Sequence, residues 1–422
     1  MQRVLIVEDS KVVQQVLRHL TAQLDVPIDF AWSLREAATF LKNHTYDLAL
    51  VDLTLPDAPN GEVAKLTLNQ RIPTVVLTST IDEYKRQQML EMGVVDYVLK
   101  DNRDSYLFAV KLITQLLENK GRKVLVADDS KTSRKMMKHM LEQLLYDVIE
   151  AEDGAQALEV LSKDQTINLL MTDYAMPEMD GFELVKAIRN KRGRDELAII
   201  GISGSGSQSL SAKFIKNGAN DFLVKPFLPE EFHCRVMQTM EQLKLIAEIK
   251  DTANRDYLTN LYNRRYFYNQ SERILKSLKQ KCESVIMVMV DIDHFKPIND
   301  TYGHQAGDNV LVEVSNAMQK YFSQYLVARV GGEEFAILLN DLSLEQAYEF
   351  VDEFRFQVSN TSFSFSGQPI GVSISAGIAL SEDEELSQLI NIADSALYDA
   401  KSQGRNQVVQ YQMEVCDDLE IA

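Results

Sequence analysis

An internal repeat constrains the fold of this 422-residue chain more strongly than any other feature of its sequence. The offset between the two copies grows from 120 residues (3 to 123) to 125 residues (100 to 225). A period of that length indicates a duplicated domain, because solenoid repeats are much shorter. The repeated segments are 3–10 and 123–130, 47–52 and 168–173, and 96–100 and 221–225.

Each copy alternates short apolar runs with longer segments of helical period. In the first copy the runs are Val4–Val7, Leu48–Val51, Thr74–Leu77 and Tyr97–Leu99. Apolar strands joined by helices predict a parallel sheet that is covered on both faces. Because such crossovers are right-handed, the sequence predicts two doubly wound α/β domains of the flavodoxin-like type.

Polar side chains recur at the carboxyl ends of the predicted strands, where ligands of such sheets bind. Carboxylates gathered at one edge repel each other unless a cation neutralises them, and oxygen ligands suit Mg²⁺. A lysine and a hydroxyl would complete a cradle for a phosphoryl group on the central aspartate. One acid after a strand commonly means only solvation, but these positions recur in both copies. They are Glu8, Asp9, Asp52, Thr78 and Lys100, then Asp128, Asp129, Asp173, Ser203 and Lys225.

On these residues, segments 1–121 and 122–245 resemble response-regulator receiver domains. The resemblance implies that Asp52 and Asp173 accept phosphate from a histidine kinase or a phosphotransfer protein. It also implies that each acid pair, together with its phosphoacceptor, holds Mg²⁺. The implied phospho-switch residues are Thr78, Tyr97 and Lys100 in the first domain and Ser203, Phe222 and Lys225 in the second.

The second copy follows the family pattern more closely than the first. Residues 173–181 and the pair Lys225-Pro226 match it. In the first copy Asp101 replaces the usual proline and brings a further negative charge to the site. Gly61 also lies one residue further from the phosphoacceptor than its counterpart in the second copy. The sequence therefore favours the second copy as the phosphorylated receiver.

A helix is predicted to leave the second copy and to run to about residue 255, since residues 232–256 contain no proline or glycine. Its apolar stripe fits an intramolecular packing face or a contact with a partner helix equally well. The stripe is too short to specify a coiled coil, which needs three or four heptads. The Gly/Ser-rich segment 204–209 before it is predicted to be a flexible loop. The stripe consists of Val236, Met240, Leu243 and Ala247.

A third unit, predicted as a mixed α/β sandwich, covers residues 256–412 and precedes an acidic tail, 413–422. Within it, Val330–Ala336 separates two apolar runs and predicts a hairpin tip with two carboxylates. Taken alone, this segment is equally well explained as an acidic turn at a sheet edge.

A metal-binding site would form if the hairpin lies beside the apolar strand Val285–Val290, which is followed by Asp291. Asp291 and Glu333 would then converge, and converging carboxylates favour Mg²⁺ that also takes phosphate oxygens of a substrate. The implied reaction is phosphoryl transfer, which depends on positioning and electrostatics. Lys296, Lys401 and Arg405 would supply positive charge, and Asn299 and Asp308 could bind a guanine edge.

Residues 256–410 resemble a GGDEF diguanylate cyclase domain in its Gly-Gly-Glu-Glu-Phe variant. The resemblance implies that Asp291, the carbonyl of Ile292 and Glu333 bind Mg²⁺, with Mn²⁺ as an alternative. Glu333 would also help to deprotonate the attacking 3′-hydroxyl, while Lys296 would stabilise the transferring phosphate. The implied GTP-binding residues are Asn299, His304, Asp308, Gly331, Gly332, Lys401 and Arg405.

One feature of the family is missing. Its inhibitory site for its own product is an Arg-x-x-Asp shortly before the hairpin, and Phe322 and Tyr325 occupy those positions here. Product inhibition through that site is therefore expected to be absent or to use other residues.

The sequence thus predicts a response regulator in which two receivers control a cyclase. Two GTP molecules would form cyclic di-GMP and pyrophosphate in an active homodimer. The alternatives are a catalytically inactive domain that senses GTP or cyclic di-GMP, and a scaffold whose docking is controlled by phosphorylation.

Composition limits the other function classes. The net charge of -18 argues against a general binder of nucleic acid or anionic membranes. Three widely spaced cysteines, Cys234, Cys282 and Cys416, predict reduced and mostly buried thiols. No apolar run reaches the roughly 18 residues of a membrane span, and the N-terminus is unlike a signal peptide, so a cytoplasmic protein is expected.

Overall fold

The computed structural model of the protein describes residues 2–79, 83–204, 208–279, 284–381 and 385–411. Internal contacts divide the chain into two compact units, Met1–Ala247 and Glu248–Ala422. The first unit contains both copies of the repeat, and the second contains the predicted hairpin.

The first copy begins the first unit. Its elements are β1 (Val4–Val7), α1 (Lys11–Thr21), β2 (Ile28–Ala31), α2 (Leu34–Asn43), β3 (Leu48–Asp52), α3 (Glu62–Asn69), β4 (Thr74–Thr78), α4 (Glu83–Glu91), β5 (Asp96–Leu99) and α5 (Arg103–Asn119). Its described strands pair in parallel in the order β2-β1-β3-β4-β5. That order is the flavodoxin-like one, which confirms the predicted fold class. Strands β1, β3 and β4 are buried throughout, as strands covered on both faces must be.

The second copy repeats this topology. Its elements are β6 (Lys123–Ala127), α6 (Lys131–Gln143), β7 (Asp147–Ala151), α7 (Gly154–Lys163), β8 (Leu169–Asp173), α8 (Gly181–Arg189), β9 (Ala198–Ser203), α9 (Gln208–Asn217), β10 (Asp221–Val224) and α10 (Pro229–Asn254). Its described strands pair in parallel in the order β7-β6-β8-β9-β10, which corresponds strand for strand to the first copy.

A helix begins immediately after each acid pair, and a serine caps it. The Oγ of Ser10 accepts a hydrogen bond from the N–H of Val13, and the Oγ of Ser130 accepts one from Ser133. Such a cap satisfies a backbone donor that the first helical turn leaves unpaired. The caps therefore fix the chain direction directly behind the acids of each site.

The two copies share one hydrophobic core within the first unit. Buried side chains of α5, α6 and α10 belong to a single cluster that continues into both sheets. Polar contacts accompany it, because the side chain of Asn119 donates to the carbonyl of Leu144 over 3.1 Å and that of Gln143 donates to Gly93 over 3.3 Å. An ion pair joins Lys244 and Glu118 at 2.8 Å.

The predicted outgoing helix is α10. The first three residues of its apolar stripe, Val236, Met240 and Leu243, are buried in the shared core, whereas Ala247 is exposed. The stripe up to Leu243 is therefore an intramolecular packing face. Of the predicted loop 204–209, residues 205–207 lie outside the described part of the chain.

The second unit contains a mixed sheet. Its elements are β11 (Tyr262–Asn263), α11 (Arg264–Lys279), β12 (Val285–Ile292), α12 (Phe295–Tyr302), α13 (His304–Tyr321), β13 (Leu326–Arg329), β14 (Glu334–Asn340), α14 (Leu344–Asn360), β15 (Phe363–Phe365), β16 (Gln368–Ile370), β17 (Ile374–Ser381), α15 (Leu386–Ser402) and β18 (Val408–Gln410). The strand order of its larger sheet is β11-β13-β14-β12-β17-β18. The predicted hairpin is therefore the pair β13–β14, and it lies beside the central strand β12 as expected.

Two other expectations concern thiols and membranes. Cys234 is exposed on α10, so the prediction of a buried thiol is wrong at this position. The reason is helical phase, since its neighbours Phe232 and His233 occupy the buried face of α10. Cys282, Cys416 and the acidic tail lie outside the described residues. Within the described residues, no helix has the length and apolarity that a membrane crossing requires.

Candidate functional site

Strand β12 carries Asp291 to the edge of the hairpin. The strand is buried along its full length and pairs antiparallel with β14 on one side and β17 on the other. The register sets Asp291 opposite Glu334 and Ser375, and the N–H of Ile292 donates to the carbonyl of Glu333 over 3.3 Å. The structure therefore brings Asp291 and the Glu333 segment together, as the sequence predicts.

The carboxyl group of Asp291 is in an unusual electrostatic environment. Its side chain is buried, and its Oδ2 lies 2.8 Å from the Nζ of Lys401. Burial raises the pKa of Asp291 to about 6, and the charges of Glu333 and Glu334 act in the same direction, while Lys401 opposes them. Crowded oxygen donors with excess negative charge suit a divalent cation such as Mg²⁺.

Arg329 braces the hairpin tip. Its Nε and one of its terminal nitrogens donate to the carbonyl of Gly332 over 3.0 and 2.7 Å. Its other terminal nitrogen donates to Asp256 over 3.0 Å. The rigid fork of a guanidinium is suited to such a double contact. The tip is thereby tied to the first residues of the domain.

The two glycines of the hairpin tip matter for the space that they leave and not for a positive φ. The positive-φ residues of the described chain do not include Gly331 or Gly332, so the tip needs no left-handed turn. A Cβ on Gly331 would lie 2.7 Å from Oε2 of Glu334, whereas one on Gly332 would meet no atom of the described residues within 4 Å. Gly332 thus borders open space that a ligand can enter.

The junction of α12 and α13 places the predicted guanine-binding residues. Gly303 joins the two helices with a φ of +86°, which a residue with a side chain adopts only with strain. A Cβ on Gly307 would lie 2.0 Å from Oδ1 of Asn299, so the amide of Asn299 passes directly over that glycine, beside Asp308. Three further predicted residues are exposed on these helices: Lys296, His304 and Asp308.

Close helix packing brings Lys401 to Asp291. A Cβ on Gly377 of β17 would lie 2.2 Å from backbone atoms of Ala393 and Leu397, so α15 packs directly against the strand. The end of that helix carries Lys401. Arg405 follows in a turn with a φ of +65° and is exposed.

Aromatic side chains occupy the two positions at which the family has its inhibitory Arg-x-x-Asp motif. Phe322 is 1% exposed and packs edge-to-face against Phe350 and Phe354. Tyr325 also contacts Phe350, with ring centroids 6.0 Å apart. These side chains provide no positive charge for a phosphate, which agrees with the expected absence of that product site.

The first receiver gathers its predicted residues at the sheet edge. Oxygen atoms of Glu8, Asp9 and Asp52 all lie within 4.8 Å of one another. The Nζ of Lys100 lies 2.6 Å from both Glu8 and Asp52. Burial raises the pKa of Glu8, while Lys100 opposes that shift. The arrangement fits a divalent cation beside a phosphoryl group.

The second receiver repeats the lysine bridge with a different acid arrangement. The Nζ of Lys225 lies 2.6 Å from both Asp128 and Asp173. The Oγ of Ser133 also donates to Asp128 over 2.7 Å, and Asp129 is exposed. Among the described residues, a cluster of three carboxylates within metal-binding reach is found in the first receiver and not in the second.

The other predicted switch residues lie in the interior. Thr78 and Ser203 are buried at the ends of β4 and β9. Among the residues that the structure describes, the buried hydroxyl of Tyr97 has no hydrogen-bond partner, whereas Phe222 packs against Phe214 with centroids 5.3 Å apart. The extra residue before Gly61 is accommodated by a local turn in which Leu55 and Ala58 bond each other's backbone.

Sequence reasoning did not identify two residues of the cyclase site. Arg329 can be found from the sequence, because it is an arginine two positions before the glycine pair of the hairpin. Asp293 follows β12 as acids at strand ends commonly do, but it is buried and accepts three hydrogen bonds. Its partners lie 80 or more residues away along the chain, and no local pattern reveals them.

Known proteins share these domains. The family model "Diguanylate cyclase, GGDEF domain" matches residues 253–407, and "Response regulator receiver domain" matches 4–111 and 124–237. The response regulator PleD of Caulobacter vibrioides is 26% identical over 454 residues, which cover 96% of this chain and 98% of PleD.

Two further relatives cover parts of the chain. The "Probable diguanylate cyclase DgcT" of Escherichia coli is 40% identical over 186 residues, or 42% of this chain and 39% of DgcT. The solved structure of a "probable two-component system response regulator/GGDEF domain protein" is 44% identical, with a TM-score of 0.53, and covers 58% of this chain and 100% of its own. The chain therefore belongs to the response-regulator family and combines two receiver domains with a diguanylate cyclase GGDEF domain.

Proposed function

We propose that the protein condenses two GTP molecules into cyclic di-GMP, with release of pyrophosphate, under the control of receiver phosphorylation. Its domains make it a diguanylate cyclase of two-component signalling. The proposal adds which residues form the cyclase site and that phosphorylation of the receivers controls its activity. The observation that carries it is Asp291, a buried carboxyl at the end of β12 with the Glu333 segment beside it and Lys401 at 2.8 Å.

GGDEF cyclases use a divalent cation, and we propose Mg²⁺, with Mn²⁺ as the alternative. Asp291, the carbonyl of Ile292 and Glu333 would hold it. When bound, the cation neutralises phosphate charge and makes the 3′-hydroxyl easier to deprotonate. The raised pKa of Asp291 supports this assignment, because burial and the charges of Glu333 and Glu334 disfavour the ionised carboxylate and a nearby dication would favour it.

The chain's own groups would bind and orient GTP. The carboxylate of Asp308 would accept hydrogen bonds from the N1–H and 2-amino groups of guanine. The amide of Asn299 would also bind the guanine edge, with His304 at the start of α13. Glu333 takes the proton of the attacking 3′-hydroxyl. Open space at Gly332 would admit the nucleotide to the hairpin. The phosphates would be held by Lys296, Lys401 and Arg405.

Each cyclase domain would bind one GTP, so catalysis needs two domains that face each other in a homodimer. The phosphoacceptors would be Asp52 and Asp173, and the donor a histidine kinase or phosphotransfer protein. Phosphorylation would shift the population of the receivers towards the dimer-competent state. The lysine bridges of Lys100 and Lys225 support this role, because each lies within 2.6 Å of a phosphoacceptor.

The metal sites of the receivers belong to the same proposal: Glu8, Asp9 and Asp52 in the first, and Asp128, Asp129 and Asp173 in the second. The proposed switch residues are Thr78, Tyr97 and Lys100, then Ser203, Phe222 and Lys225. The proposed domain limits are 1–121, 122–245 and 256–412, with a linking helix to about residue 255.

Product formation from GTP tests the cyclase assignment. The protein with GTP and Mg²⁺ should yield cyclic di-GMP on a chromatogram, and Glu333→Gln should abolish it. Asp341→Asn is the matched control, since it makes the same carboxylate-to-amide change at the other end of β14 and should stay active. Robust synthesis by Glu333→Gln would refute the site. GTP binding without turnover would instead favour a sensor, and phosphorylation-dependent docking without turnover a scaffold.

A further inference from the structure

Asp293 joins three parts of the cyclase domain through one buried carboxylate. It follows β12 directly and is 3% exposed. Its Oδ1 accepts a hydrogen bond from the Oγ of Ser375 over 2.6 Å. Its Oδ2 accepts one from the Oγ of Ser373 over 2.7 Å and one from the backbone N–H of Asn406 over 2.9 Å. Asp293 therefore links the end of β12 to β17 and to the turn after α15.

The turn that Asp293 holds has a strained backbone conformation. Arg405 and Asn406 have φ values of +65° and +46°, a region in which residues with a side chain are strained. Such a conformation persists only where its surroundings impose it. The N–H of Arg405 bonds the carbonyl of Ala400, and Arg355 donates to the side chain of Asn406 over 2.9 Å. The carboxylate of Asp293 is the charged acceptor for the backbone of this turn.

The charge of Asp293 is balanced by hydrogen bonds. Among the described residues, no lysine or arginine forms an ion pair with it, whereas Asp291, two residues earlier, pairs with Lys401. Charge-assisted hydrogen bonds are about twice as strong as neutral ones, so three of them can hold a buried carboxylate. Both oxygens are directed at protein donors, which distinguishes Asp293 from its neighbour Asp291.

We propose that Asp293 is a positioning residue for the phosphates of GTP, because it fixes the Arg405 turn relative to the end of β12. Asp291 lies two residues before it on one side, and Arg405 lies next to its bonded partner Asn406 on the other. The inference rests on the proposed function, in which Arg405 contacts the phosphates. A displaced turn would weaken GTP binding in the ground state and the transition state alike, which raises KM more than it changes kcat.

Paired substitutions of Asp293 test this role. Asp293→Ala removes all three bonds and should raise the KM for GTP roughly tenfold, with kcat within about threefold of the wild type. Asp293→Asn should keep KM within about threefold, because an amide can accept from Asn406 and Ser373 and donate to Ser375. If the alanine variant does not fold, Asp293→Ser replaces it, since its hydroxyl is too short to reach Asn406. An asparagine variant as impaired as the alanine variant would overturn the proposal, because it keeps an acceptor for the backbone of Asn406.

Ser373→Ala is the matched control. It removes one hydrogen bond from the same carboxylate but leaves the bond to Asn406. It should lower the thermal midpoint as other lost buried hydrogen bonds do, with KM unchanged. A rise in KM equal to that of Asp293→Ala would mean that KM follows general loss of stability, which contradicts a specific role for the turn.

A double-mutant cycle with Arg405→Ala tests whether the effect of Asp293 on KM acts through Arg405. If Asp293 acts through Arg405, adding Asp293→Ala to Arg405→Ala should raise KM by less than about twofold more. Fully additive effects would overturn the proposal. Binding of 3′-deoxy-GTP, which lacks the attacking hydroxyl, should weaken in parallel with KM. Failure of the wild type to bind this nucleotide would count against the proposed function instead, so the two failures are distinguishable.

Discussion

The Nζ of Lys401 lies 2.8 Å from the Oδ2 of Asp291, so a predicted phosphate ligand is ion-paired with a predicted metal ligand. The lysine side chain is about one-third exposed and can leave this partner when GTP binds. Under the proposed function, Lys401 would therefore have opposite effects on two ligands, since it would compete with a cation for Asp291 and attract the phosphates of GTP.

Replacing Lys401 should separate those two effects. Lys401→Met is expected to weaken GTP binding, since a positive charge near the phosphates is lost. It is also expected to tighten Mn²⁺ binding in the absence of nucleotide about fivefold, or ~1 kcal/mol, because Asp291 loses its competing partner. Titration calorimetry with each ligand checks both changes. Arg405→Ala is the control, and it should weaken GTP binding alone. Weaker Mn²⁺ binding by Lys401→Met would contradict the competition.

Much of the fold could be predicted from the sequence because the relevant signals are local. Continuous apolar runs mark β1, β3, β4 and β12, whose burial on both faces leaves no alternation. The repeat then showed that acids, hydroxyls and lysines recur at the ends of corresponding strands. The order of strands follows from the fold class, so the receiver sites could be assembled without coordinates.

Contacts over long sequence distances could not be predicted in this way. The pairing of Lys401 with Asp291 depends on how closely α15 packs on Gly377, which no single stretch of sequence shows. The core shared by the two copies depends on side chains of α5, α6 and α10 meeting in space. No local pattern shows that the tip glycines lack a positive φ, or that Gly331 leaves room for the side chain of Glu334.

The brace formed by Arg329 leads to a second prediction. Arg329→Lys should lower kcat about tenfold and cost about 2 kcal/mol of stability, because a lysine lacks the planar fork that makes three hydrogen bonds to Gly332 and Asp256. The loosened tip carries Glu333, so catalysis should suffer more than GTP binding. Steady-state kinetics and thermal melts measure the two effects. Asp256→Asn keeps the contacts to Gly332 and should be less impaired. Wild-type kcat in Arg329→Lys would show that the brace is dispensable.

The two phosphoacceptors should differ in their effect on activation. Asp173→Asn is expected to reduce the stimulation of cyclic di-GMP synthesis by acetyl phosphate or beryllofluoride more than Asp52→Asn does. The second receiver keeps Lys225-Pro226, whereas Asp101 places a further negative charge beside the first site. Against this stands the compact carboxylate cluster of the first receiver, which makes the comparison informative. The reverse ranking would identify the first receiver as the input.

His233 connects the two receivers through a buried contact, and burial disfavours its charged imidazolium form. This buried residue of α10 lies with Nδ1 3.3 Å from the carbonyl of Val95, directly before β5 of the first receiver. Its Nε2 is buried without a partner among the described residues. Burial lowers the pKa of His233, and the nearby His139 lowers it further, while the bond to Val95 opposes the shift.

Stability should therefore depend on pH through His233. Above pH ~6.5, the usual histidine pKa, the residue is neutral in both states and its contribution is complete. As the pH falls below that value the unfolded chain takes up a proton first, so stability decreases towards the lower native pKa by at most ~1.4 kcal/mol per pH unit. Thermal melts between pH 7.5 and pH 5, a span of about 2.5 units, should show this loss of stability in the wild type and not in His233→Gln. The exposed residue His19 provides the control, and His19→Gln should lose stability as the wild type does. Identical pH dependence of the wild type and His233→Gln would exclude His233 as its source.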